Sequence, residues 1–201
     1  MNSVLSAVKR GLAGILQFNG RSRRADFWIY AIFVFSLAFI VWGVVMTMEM
    51  SRTFAEVQQY ANANPGKVTI SSGPGGVSYR FNESAPGVGP DFEYLLAWIS
   101  AIALVSVALL AAAAVRRLHD TDRTGLWMLL PLPFLFGGLW LMKSVFNEFQ
   151  TAAELELGVF ALGLVNNLVY LATMAFVGFL LLRSGSAGEN RFGERNIEEP
   201  A

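Results

Sequence analysis

The chain has 201 residues, no cysteine, a single histidine and a formal net charge of zero. Apolar residues make up 54% of it, charged residues only 15%, and mean hydropathy is +0.47; a soluble domain is usually nearer a quarter charged. These figures argue against a soluble fold, and they exclude disulfides, thiolate catalysis, cysteine metal sites and a multi-histidine metal centre.

Residues 3–17 open the chain with a helical repeat. Val4, Leu5, Val8, Leu12, Ile15 and Leu16 recur at helical spacing, and Lys9 and Arg10 fall off that stripe. Such an amphipathic helix either lies on an anionic membrane surface or packs on the end of the protein itself. Next comes Phe18-Asn19-Gly20-Arg21-Ser22-Arg23-Arg24-Ala25-Asp26-Phe27-Trp28. Gly20 permits a turn there. Arginines before an apolar run can snorkel to lipid phosphates. The use of arginine throughout points further, to forked partners such as carboxylates or phosphates.

Four apolar runs follow, at residues 27–48, 94–115, 126–142 and 157–182. A hydrocarbon core about 30 Å thick needs roughly 20 helical residues, so the first, second and fourth span comfortably. The third is shorter and contains Pro131 and Pro133. It reads as a short or kinked span packed inside the bundle, with a re-entrant hairpin as the alternative. Residues 49–62 extend the first helix into water until Asn64, Pro65 and Gly66 stop it. KVTIS and VSYRF alternate polar and apolar residues around SGPGG, which predicts a β-hairpin inside an outer loop, 49–92. An isolated two-stranded hairpin is marginally stable, so it should pack on the protein. Asn82-Glu83-Ser84 matches a glycosylation triplet. In the second span Ala97, Ala101, Ala108 and Ala112 share one face, which predicts close approach to another helix.

Two further motifs sit at helix boundaries. Arg116-Arg117-Leu118-His119-Asp120-Thr121-Asp122-Arg123-Thr124 forms a short turn between spans. Asp122 or Thr124 is placed to cap the third helix. Asp120 and Asp122 are natural partners for Arg21, Arg23 or Arg24. Arg116, Arg117 and His119 suit the dipole at the end of their own helix. In the tail, residues 183–201, Gly188-Glu189-Asn190-Arg191-Phe192-Gly193 reads as a turn that docks on this cluster. Asn166 and Asn167 lie near the middle of the fourth span. Amides at that depth either line a small polar cavity or bond to another helix, with the Gly137-Gly138 pair as a close backbone partner.

Eleven of the fifteen lysines and arginines flank one end of the spans and four the other. The positive-inside rule therefore places both termini in the cytoplasm. No cleavable signal is expected.

FNGRSRRADFW, RRLHDTDRTGLW and GENRFG, in that order, resemble the YhaH-like family of small bacterial inner-membrane proteins, a domain family of unknown function. The resemblance runs from about Phe18 to Gly193. Asp26 stands where that family usually has Glu, and the outer loop is long for it. The resemblance implies a bacterial inner-membrane location and a helical bundle, and it brings no established activity.

The expected fold is an all-α membrane protein, a single integral domain of four transmembrane helices with an N-terminal interfacial helix and a small extracytoplasmic β-hairpin. The expected function is non-catalytic. Arg21, Arg23, Arg24, Asp26, Arg116, Arg117, His119, Asp120, Asn190 and Arg191 would form a cluster that organises the bundle and engages anionic lipid or a protein partner, a homo-oligomer included. A small channel, transporter or transport accessory is the alternative, with Asn166 and Asn167 lining a path. A lipid head-group enzyme using His119 and Asp120 is a third reading, weakened because neighbours on a helix do not face one another and no nucleophile, phosphate-loop or dinucleotide motif is present. No cofactor or metal is expected. Nucleic acid is not an expected partner, since the basic residues hug a membrane and are interleaved with acids.

Overall fold

The computed structural model describes residues 2–74, 76–83, 85, 87–150 and 157–194. Ser84 of the glycosylation triplet, Arg195 and residues 151–156 lie outside them. Five α-helices and one hairpin follow in chain order: α1 (Asn2–Ala13), α2 (Arg24–Ala63), β1 (Val68–Gly73), β2 (Gly76–Phe81), α3 (Phe92–Asp120), α4 (Leu132–Gln150) and α5 (Leu157–Leu182), with one 3-10 segment, Gly125–Leu129, before α4. Four of the helical stretches are long and apolar enough to cross a membrane. Together with the composition, they point to a multi-pass membrane protein.

The core lies at the arginine-rich end. Phe27, Tyr30, Ala31 and Val34 of α2 meet Leu110, Ala113, Ala114 and Leu118 of α3 and Val177, Leu180 and Leu181 of α5. Small residues on α3 let the three helices approach closely there. Tyr30 ends in a polar group among these side chains, and its hydroxyl donates to the Leu109 carbonyl at 3.2 Å. Helix α1 docks by its buried small residues Ala7 and Gly11, and Gly14 just after it is buried too. Gly11 sits on the Tyr30 ring, leaving no room for a Cβ. The bulky residues Val4, Leu5, Leu12 and Leu16 face outward. Of the two faces of α1, the small one packs on the protein and the bulky stripe faces away from it.

Away from this end α2 and α3 part, whereas α3 meets α4 at the far end, where Phe92 stacks on Phe146 with 4.5 Å between centroids. Ala112 is fully buried, but Ala97, Ala101 and Ala108 are exposed, so the predicted small face makes helix contact only at its inner end. Between α2 and α3 runs an apolar groove lined by Leu37, Val41, Trp98 and Val105 among others. Nor is α4 packed inside the bundle. In the third apolar span, Gly125–Asn147, only 11% of the residues in its most apolar window are buried, the smallest share of the four. Pro131 and Pro133 flank the first residue of α4 rather than kinking its middle. A missing N–H costs nothing in the first turn, where the donors have no helical partner. Asp122 and Thr124 do not cap this segment. The Thr124 side chain makes no capping bond, and Asp122 takes a left-handed conformation, φ 57°, with its carboxylate turned to Arg191.

At the other end α2 continues past its apolar half and stops where Asn64 begins the turn. The strands pair antiparallel from Val68–Phe81 to Gly73–Gly76. The hairpin rests on the α2 extension through two ring contacts, Tyr79 on Phe54 and Phe81 on Tyr60, each 5.8 Å between centroids. Glu49, almost fully buried, ties the loop back. It pairs with Arg52 at 2.6 Å and accepts the Asp91 N–H at 2.6 Å. Asp91 in turn caps α3 by accepting the Tyr94 N–H at 2.9 Å.

Candidate functional site

Four chain segments converge at the arginine-rich end: the turn after α1, the start of α2, the end of α3 and the residues after α5. Asp120 is their centre and is 0% exposed. One carboxylate oxygen accepts from Arg21, 3.1 Å from Nε and 3.0 Å from Nη2. The other accepts from Nη1 of Arg117. Both arginine side chains are buried. A charge in such a place is tolerable only when its partner and its remaining hydrogen-bonding positions are all satisfied.

Most of the remaining donors go to backbone. Arg21 Nη1 donates to the Gly188 carbonyl at 2.6 Å and to that of Gly193 at 3.2 Å, and Nη2 donates to the Ser186 carbonyl at 2.8 Å. Arg117 Nε donates to the Leu181 carbonyl at 2.9 Å, and its Nη2 donates to that of Arg183. Arg24 reaches the Leu182 carbonyl at 3.5 Å. The last carbonyls of a helix have no internal partner and carry its negative dipole end. Arg117 therefore caps α5. Its neighbour Arg116 points elsewhere: its Nη1 donates to the carbonyls of Gly14, at 2.6 Å, and Gln17, just beyond the end of α1. The sequence reading gave both arginines to the dipole of their own helix. Instead Arg117 caps α5, and Arg116 holds the turn that follows α1.

The tail motif docks on this assembly as a tight turn, closed by hydrogen bonds between Asn190 and Gly193. Gly193 adopts φ 105°, a region open to glycine. Asn190 Nδ2 donates to the His119 carbonyl at 2.9 Å. Phe192 stacks on the His119 ring, 3.8 Å between centroids and 5° from parallel. Arg191 pairs with Asp122 at 3.2 Å and lies over the Phe192 ring. Gly185 passes so close to Asp120 that a Cβ there would overlap the carboxylate. The sequence offered no sign of this contact.

His119 and Asp120 do not form an acid–base pair. The carboxylate is taken by the two arginines, whereas His119 Nδ1 lies 3.2 Å from the Gly20 carbonyl. A carbonyl only accepts, so Nδ1 carries the proton. His119 stands four residues beyond the apolar run 94–115. Burial holds its pKa below the usual imidazole value, and the nearby Arg191 charge adds to the effect.

Of the other predicted residues, Asp26 stands apart from the buried centre and pairs with Arg10 of α1 at 2.8 Å. Arg23 lies at the start of α2, where its side chain does not cap the helix. Asn166 is remote from the cluster. Its Nδ2 donates to the Phe134 carbonyl of α4 at 2.8 Å, and its amide lies against Gly137 and Gly138. Asn167 is exposed in the shallow groove between α4 and α5. Sequence reasoning missed Glu49, a second buried carboxylate at the opposite end. An acidic residue just past an apolar run reads as solvated until the return of Asp91 is known.

Neither the comparison with curated proteins nor that with solved structures gives a match. A family model described as "Protein of unknown function (DUF805)" matches residues 15–194, which takes in the turn after α1, all four long helices and the docked tail. The chain thus belongs to the DUF805 family.

Proposed function

We propose that the protein is a non-catalytic component of the bacterial inner membrane, with both termini in the cytoplasm. In this reading the Arg21–Asp120–Arg117 centre organises the helices at the inner leaflet, and the surrounding arginine-rich face engages anionic lipid or a partner protein. The observation that carries it is the commitment of the buried charges. Asp120 is fully enclosed, and both its oxygens accept from arginines that also donate to main-chain carbonyls. A carboxylate held by two arginines in this way supports a structural role for the centre. The free bulky stripe of α1 supports contact with the leaflet, since an exposed apolar face beside basic residues suits the interface.

The test is Asp120→Ala in full-length protein in lipid nanodiscs. Removing the carboxylate leaves two buried guanidiniums unpaired, with an expected loss on the order of 3 kcal/mol. Thermal unfolding should shift strongly downward, with the tail becoming accessible to protease. A variant of unchanged stability that has lost a partner or lipid in native mass spectrometry would show that Asp120 serves the ligand directly and not the fold.

A further inference from the structure

Asn167 lies about 15 Å along α5 from its first residue and about 22 Å from its last, at a rise of 1.5 Å per residue. At that depth a bilayer supplies neither water nor any lipid hydrogen-bonding group. The neighbouring Asn166 turns inward and bonds to α4. Asn167 is exposed instead, and its amide forms no hydrogen bond among the described residues. One turn further on, Tyr170 lines the same groove between α4 and α5, about 400 Å³ in volume. Its hydroxyl likewise forms no hydrogen bond among the described residues. Two polar groups thus stand open together on a face that hydrocarbon surrounds.

The rest of that face suits a helix. Phe160 and Met174 lie seven residues to either side of Asn167, on the same side of α5, and both are exposed. Gly163 sits one turn before Asn167, and nothing lies within 4 Å of the position its Cβ would take. Another backbone can therefore come close there. The exposed apolar side chains need no cover in lipid, whereas the amide does.

The chemistry of the amide selects the partner. It carries one carbonyl acceptor and two N–H donors, so it pairs with a copy of itself. Two chains inserted in the same orientation hold Asn167 at the same depth. A two-fold axis along the membrane normal then brings identical faces together. Any other partner would need a polar group placed independently at that level.

We infer that this face of α5 is the contact surface between two copies of the chain, in which the two Asn167 amides exchange hydrogen bonds within the hydrocarbon and the Tyr170 hydroxyls add donors beside them. The inference goes beyond the organising centre at the other end of α5. It requires only that α5 lies in the membrane.

The full-length protein, labelled through an appended C-terminal tag, is reconstituted in phosphatidylcholine liposomes at a series of protein-to-lipid ratios. Energy transfer between copies reports dimer, which is expected to dissociate on dilution. Asn167→Leu should raise the mole fraction at half-dissociation roughly tenfold, the effect of two reciprocal amide bonds. Asn167→Gln keeps an amide and should recover part of the loss. Ala172→Leu, exposed on the opposite side of α5, should change nothing. Because the chain has no cysteine, single replacements map the contact: Leu171→Cys should cross-link two copies under mild oxidation in dilute membranes, and Val165→Cys, on the far side, should not. Should Asn167→Leu fail to fold, these two cysteine variants carry the test. Native mass spectrometry of protein extracted from its own membranes identifies the occupant, and a mass of twice the chain is expected. The inference is overturned if the protein is monomeric at every ratio, if Asn167→Leu dissociates no more readily than Ala172→Leu, or if Val165→Cys cross-links as well as Leu171→Cys. A lipid or a different protein that the native chain retains and Asn167→Leu releases would equally overturn a second copy as the partner. None of these outcomes bears on Asp120→Ala, so a failed contact surface and a failed organising centre are told apart.

Discussion

Two residues at the arginine-rich end turn geometry into measurable energy. Gly185 faces a carboxylate that two arginines hold in place, so Asp120 cannot swing aside for a methyl group. Gly185→Ala should destabilise the protein by about 1–3 kcal/mol, the usual range for forcing atoms into a filled site, with the tail loosened first. Urea or thermal unfolding in detergent, read beside protease sensitivity of residues 186–193, would check it. His119 gives a pH test. Unfolded, it takes up a proton near pH 6.5, whereas burial holds the folded ring neutral to lower pH. Between those values the unfolded chain binds more protons, so stability falls as the medium is acidified. The contribution is complete above pH 6.5 and is lost as pH drops through the folded value. Unfolding midpoints from pH 7.5 to 5 should show this slope in the native protein and a shallower one in His119→Gln.

At the scale of elements, the protein is two helix pairs, α2 with α3 and α4 with α5, joined near the arginine-rich end and again where Phe92 stacks on Phe146. Within the second pair the amide of Asn166 bonds to α4 where Gly137 and Gly138 leave room. Asn166→Leu removes the hydrogen bond and adds bulk against two glycines. A loss of about 1 kcal/mol is expected from the bond alone, visible as faster hydrogen exchange in α4 with α2 and α3 unaffected. This partnership was legible in the sequence, because a mid-span amide needs an acceptor and a glycine pair exposes one. The elements themselves were legible for a similar reason: long uncharged runs, the stop at Asn64-Pro65-Gly66, and alternation around a glycine turn. The backbone contacts made by Arg116 and Arg117 were not. Their partners lie 64–102 residues away, and adjacent side chains on a helix point in directions that only the tertiary approach reveals. Likewise the bulky stripe of α1 was visible, but that the docking face would be the small one depends on the Tyr30 ring beneath Gly11.

For the molecule as a whole, exposed Phe, Leu, Ile and Val side chains cover the outer halves of the long helices. In water such a surface would aggregate; in hydrocarbon it needs no partner, and cohesion must come from packing and polar contacts. This accounts for a core confined to one end. It also yields a topological prediction. Reporter fusions at Thr121 and after Gly193 should fall on the same side of the bilayer, and a reporter in the hairpin between Gly73 and Gly76 on the opposite side. Thr121 and Gly193 on different sides would refute the arrangement.

The route of Arg21 through the structure has a consequence for biogenesis. Its carbonyl acceptors at Ser186, Gly188 and Gly193 come 165–172 residues later in the chain. While the ribosome is still making the last helix, this side chain has been synthesised for most of the chain's length and lacks three of its acceptors. Insertion of the hydrophobic segments and closure of the charged centre are therefore separate events, and the second waits for the final helix to emerge. A nascent chain stalled before Ser186 would hold its first three apolar helices and still lack these acceptors, its charged centre unfinished.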